Sequence, residues 1–154
     1  MLVLGAGDSW QRFFAAADTG DMFDHEKLDA YRLSIEFVAW VSAFLDELTS
    51  TGRPSAVRHL DEASASVALN IAEGNGKRSV ADRVRYLEIA RGSALECAAC
   101  IDVLVVRKRL SSDTAQTGKL TLVRVVSTIT KLIEKLLERS STSTSTSTST
   151  GRAR

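Results

Sequence analysis

Leu87, Ala90, Ala94, Cys97, Ile101 and Leu104 recur at alternating spacings of three and four residues. On a helix with about 3.6 residues per turn, that spacing lays all six side chains along one face. A strand has period two and would scatter them over both faces, so the segment from about Val80 to Arg107 is predicted to be one long helix. At about 1.5 Å per residue it extends about 40 Å. The residues in the middle of the stripe are small, so a neighbouring helix can approach closely there.

Three further helices follow from the same reasoning. A first is expected from about Glu26 to Leu48, with Leu28, Tyr31, Ile35, Val38, Ser42 and Leu45 on one face. A second stripe of Phe37, Val41, Phe44 and Leu48, with Trp40 beside it, lies roughly 100° further round. One core does not need both stripes. Either this helix is central in the bundle, or Phe37, Trp40, Val41 and Phe44 pack against another subunit.

Thr49 to Arg53 is expected to be a loop, with Pro54 at the first helical position, where its missing N–H costs nothing. The next helix would run to about Glu73, with Val57, Leu60, Ser64, Val67 and Ile71 facing inward. Gly74 is placed just past its end, where a left-handed backbone is usually needed. Ser79 and Asp82 resemble a capping box that restarts the chain as the long helix. Ser111-Ser112-Asp113 caps a last helix that runs to about Arg139 on a stripe of Leu122, Val126, Ile129, Ile133 and Leu136. The β-branched run Val123 to Ile129 has poor helix propensity, but the helical period outweighs it.

Four helices with short connections give an all-α, antiparallel up-down-up-down four-helix bundle over residues 23–139. Residues 1–22 show no sustained period and are expected to be a poorly ordered extension, with Met22 as an alternative start. Residues 140–154 carry a serine–threonine repeat with almost nothing to bury and are expected to be disordered.

Several function classes receive no support. The longest uncharged apolar run, Phe37 to Leu45, is too short to span a bilayer, so no membrane role is expected. The first residues lack a basic leader, and two cysteines suit a reducing cytoplasm. Gly5-Ala6-Gly7 lacks the third glycine of a dinucleotide fingerprint. Cys97 and Cys100 have redox spacing but sit mid-helix, so they read as small buried apolar groups. A carboxylate-bridged metal pair needs Glu-x-x-His on two helices, and neither His25 nor His59 follows a Glu by three. No catalytic residue, metal or cofactor is expected.

The polar residues concentrate at one corner. Asn70 and Glu73 share the last turn of the second helix. A carboxylate at a helix C-terminus is disfavoured by the dipole, so Glu73 needs a partner from Lys77, Arg78 or Arg91. Arg91 falls in the apolar stripe of the long helix and is costly there unless paired. With Gly74, Ser79, Gly92, Ser93 and Glu96, these residues read as a polar lock between two helices. Glu88 and Glu96 lie two turns apart, with no nucleophile or phosphate loop beside them.

Charge is unevenly spread. Residues 1–49 hold three Lys/Arg against nine Asp/Glu, whereas residues 111–154 hold seven against three. Lys77, Arg78, Arg83 and Arg85 cluster at the polar corner, and Arg107, Lys108 and Arg109 at the other end of the long helix. Each cluster is a candidate phosphate contact. Aromatic residues are not interleaved with them, which argues against sequence-specific reading of single strands.

Asn70-Ile71-Ala72-Glu73-Gly74, then Gly76 with Lys77-Arg78-Ser79, then Ile89-Ala90 with Gly92-Ser93 and Glu96 resemble the bacterial four-helix-bundle proteins encoded in 23S rRNA intervening sequences. Leu28-Asp29-Ala30-Tyr31 fits the first helix of that family, which includes the accessory variability protein of diversity-generating retroelements. The resemblance covers roughly residues 24–137. It implies an antiparallel bundle, a ring-like homo-oligomer (typically a pentamer) and a non-enzymatic role. It also implies partners among RNA, DNA or a reverse transcriptase, contacted through a basic surface. The chain differs from the retroelement members in being nearly neutral, with a formal net charge of +1.

Overall fold

A computed structural model of the chain describes Arg12 and residues 23–49 and 55–145. A 3-10 turn over Asp24–Lys27 precedes four helices: α1, Asp29–Thr49; α2, Ser55–Gly76; α3, Val80–Val106; and α4, Ser112–Ser145. There is no strand among the described residues. Each helix packs on two neighbours, in the order α1–α2, α2–α3, α3–α4 and α4–α1, which closes a four-helix bundle. Partners run in opposite directions along α2 and α3, where His59 meets Glu96 and Ser66 meets Ser93. The same holds for α1 and α4, where Glu36 meets Arg124 and Trp40 lies over Gly118.

The stripes of α2 and α3 form the core as their spacing requires. Val57, Leu60, Ser64, Val67 and Ile71 are buried against Leu87, Ala90, Ala94, Cys97, Ile101 and Leu104. Each large aliphatic side chain in this set contributes about 1.5–3 kcal/mol by leaving water. The hydroxyl of Ser64 costs little because it donates to the Asp61 carbonyl at 2.8 Å.

On α1 the two apolar stripes exchange their expected roles. Ala30, Ser34, Phe37 and Val41 face the core, and Phe37 and Val41 are each 1% exposed. Tyr31, Ile35 and Val38 lie at the flank, and Ser42 faces outward. Trp40 decides the rotation. Its indole covers Gly118 of α4, where an added Cβ would come within 2.6 Å of the ring. Any side chain at this position would have to displace that ring. On α4 the core takes Val125 in place of Val126, which is only half-buried.

Helix boundaries also depart from expectation. The chain makes its 3-10 turn where α1 was expected to begin, because the Glu26 carboxylate turns back to accept from the Phe23 N–H at 2.7 Å. Leu28 is extended and α1 starts at Asp29. α2 runs through Gly74 to Gly76, so Gly74 is not a C-terminal cap. Ser79 and Ser111 do cap: their hydroxyls accept from the backbone N–H of Asp82 at 3.0 Å and of Thr114 at 3.1 Å. α4 continues six residues past Arg139 into the serine–threonine repeat, where Ser141 and Thr142 donate to the Glu138 carbonyl. The expected extension (apart from Arg12), the loop with Pro54, and the repeat beyond Ser145 lie outside the described residues. No described helix is long and apolar enough to cross a membrane.

Candidate nucleic-acid interface

The basic corner is built on a close approach of α2 to α3. Gly74 is buried, and a Cβ there would stand 2.9 Å from the Tyr86 Cβ and 3.3 Å from the Arg83 carbonyl oxygen. Hydrogen there allows the end of α2 to rest on the first turns of α3. Further along, the Ser66 and Ser93 hydroxyls bond each other at 2.9 Å, and the Asn70 amide donates to the Ser66 carbonyl and hydroxyl. This is the polar lock between the helices. It uses Asn70 and Ser93 as expected, and it adds Ser66, which carries no motif signal in a chain so rich in serine.

Glu73 and Glu96 add polar links between the same two helices, through Tyr86 and His59, whereas Arg91 and Gly92 do not. Glu73 points outward and pairs with Lys77 at 3.0 Å. A hydrogen bond from Tyr86, and then the Lys77 ammonium, hold its carboxyl below the usual carboxylate range. Lys77 is raised in turn, chiefly by its bond to Glu73, and its ammonium lies 4.8 Å from the centre of the Tyr86 ring. Arg91 pairs with Glu88 one turn earlier, at 2.6 Å, so the charge in the stripe is turned outward and balanced. Gly92 is exposed with nothing near it. Glu96 is also exposed and lies 3.6 Å from His59.

The cations of the corner divide into two kinds. Lys77 is neutralised by Glu73, and Arg83 donates to the Asn75 side-chain oxygen at 3.2 Å. Arg78 and Arg85 are exposed, and their guanidinium groups meet no carboxylate among the described residues. The nearby Asp82 carboxylate is engaged by the Ser79 hydroxyl at 2.6 Å. The end of α2 and the start of α3 meet here with opposed dipoles, which offset each other. The local field is therefore set by side chains and is positive.

The second cluster sits at the far end of α3, about 40 Å away. The structure does not bring the two together. Here α3 ends in a Schellman turn: Lys108 donates to the Val105 carbonyl at 2.9 Å and Arg109 to the Leu104 carbonyl at 2.8 Å. Lys108 takes the left-handed position, with φ 55°, where glycine is usual. Arg107 and Lys108 are exposed, and all three cations complement the negative end of the helix.

A family model for the 23S rRNA-intervening sequence protein matches residues 26–131, most of the bundle. The chain belongs to that family. A solved protein of unknown function from Bacteroides thetaiotaomicron, assigned to the S23 ribosomal protein family, shares the fold with a TM-score of 0.65 and 17% identity. The match covers 68% of this chain and 95% of that one. No curated protein matches the chain.

In this family member three of the four candidate subunit contacts on α1 are engaged within the chain. Phe37 and Val41 are in the core and Trp40 covers Gly118, while the side chain of Phe44 lies outside what the structure describes. Exposed apolar surface appears instead between α3 and α4. Leu95 is 55% and Val123 65% exposed beside a groove of about 530 Å³ floored by Ala94, Ala98 and Leu122. Each of these two lies one position after a core residue, so a stripe count passes over them. Cys97 and Cys100 are buried free thiols. Burial pushes Cys97 up to about 12, far from a reactive thiolate.

Proposed function

We propose that this 23S rRNA-intervening sequence protein is a non-enzymatic, homo-oligomeric binding and scaffold module of the cytoplasm that contacts structured RNA through its basic corners. The observation that carries the reading is the pair Arg78, just before α3, and Arg85, in its second turn, both exposed and without a carboxylate partner among the described residues. Isolated guanidinium groups of this kind suit phosphate oxygens, which they engage in a two-pronged geometry. Self-association is supported by the apolar surface at Leu95 and Val123, which a second copy would cover. The Cys97 thiol is kept protonated by burial, which makes it a poor nucleophile.

Fluorescence anisotropy with a labelled RNA stem-loop tests this reading. Binding at low salt that weakens steeply as salt rises is the expected result. No binding at low salt would overturn it. The groove between α3 and α4 favours one second reading, a protein-binding adaptor with no nucleic-acid role. A chain that ignores RNA yet is oligomeric by light scattering would support that reading.

A further inference from the structure

We infer that each chain carries two separate RNA-phosphate sites, one at each end of α3, and therefore bridges two RNA segments. The inference rests on the RNA-binding reading above and adds its geometry. Arg78 and Arg85 mark one site, and Arg107 and Lys108 mark the other; all four side chains are exposed. Between Arg85 and Arg107 the single cation of α3 is Arg91, and it is spent on Glu88 at 2.6 Å. The remaining exposed surface of that stretch is apolar or acidic: Leu95, Ala99, Val103, Glu96 and Asp102. Asp102 already holds Lys119 of α4 at 2.6 Å.

A duplex laid along α3 would press its phosphates mainly against carboxylates and hydrocarbon over about 33 Å between Arg85 and Arg107, with Lys131 of α4 beside the groove and Lys119 already held by Asp102. Phosphate contact costs desolvation there and returns no counterion release. The two cationic ends thus act as independent sites. A rigid helix fixes their separation, so the chain sets a distance between the RNA segments it holds. A scaffold needs that property, and a single continuous basic face would not supply it.

Titration calorimetry with a four-base-pair RNA hairpin tests the inference. Arg85 and Arg107 lie about 33 Å apart along α3, and at about 3.4 Å per base pair the stem is only about 14 Å long, too short to span both sites. The expected result is two hairpins per chain for the natural protein. Arg78→Gln with Arg85→Gln, and separately Arg107→Gln with Lys108→Gln, should each leave one. One hairpin per chain in the natural protein would overturn the bridging inference and leave RNA binding standing. No hairpin at all would overturn both.

Discussion

Gly74 of α2 and Tyr86 of α3 meet so closely that a Cβ on the glycine would stand 2.9 Å from the Cβ of the tyrosine. Neither atom can move without moving a backbone. Gly74→Ala is therefore expected to destabilise the bundle by about 1–3 kcal/mol through overpacking, against the roughly 1 kcal/mol that alanine gains by helix propensity. Gly92 is the control. It lies mid-helix with nothing within 4 Å of an added Cβ. Gly92→Ala should stabilise by roughly 0.5–1 kcal/mol. Thermal unfolding of the two variants should move in opposite directions; equal shifts would contradict the close approach.

This contrast shows what the sequence made legible. The stripes of α2 and α3 were readable because each has one apolar face and polar residues elsewhere. α1 was ambiguous because Phe37 and Val41 compete with Ile35 and Val38, and only Trp40 against Gly118 sets the rotation. On α4, Val123, Val125 and Val126 are chemically alike, so the spacing alone could not choose among them. Gly74 followed the pattern of a helix stop, yet its reason is a neighbour twelve residues on. The basic residues were visible as clusters, but which of them are already paired depends on side-chain geometry. A serine pair such as Ser66 and Ser93 leaves no mark in the sequence.

The Glu73–Lys77 pair gives stability a defined pH dependence. Glu73 is lowered in the folded chain, so its contribution is present above the ordinary carboxylate range and is lost as pH falls through the lowered value. Lys77 is raised, so its contribution is present below the ordinary lysine range and is lost as pH rises through the raised value. Glu73→Gln should flatten the acid limb of a stability profile, and Lys77→Met the alkaline limb. Both groups are solvent-exposed, so both effects should shrink in high salt.

Lys108 should show stability and binding moving apart. It occupies a left-handed backbone at φ 55°, a strain that glycine does not feel. Lys108→Gly is expected to raise stability by roughly 0.5–1 kcal/mol. The same change removes one phosphate contact and should reduce the slope of log Kobs against log[salt] by about 0.9. Denaturant unfolding and RNA titration check the two halves.

The cysteines should stay silent until the bundle opens. Cys97 is pushed up to about 12 and Cys100 is also raised, both chiefly by burial. Iodoacetamide near neutral pH should leave both unmodified in the native chain and label both in denaturant, as read by mass spectrometry. Rapid labelling of native Cys97 would contradict the packing of α3.

The central claim is that the exposed guanidinium groups at the start of α3 engage RNA phosphates. The salt dependence of binding to a structured RNA, compared between the natural protein and Arg78→Gln with Arg85→Gln, tests it most directly. Log Kobs should fall linearly with log[salt], and the double variant should lose about two units of slope, close to 0.9 for each phosphate contact removed. An unchanged slope in that variant, or no RNA binding by the natural protein at low salt, would contradict the claim.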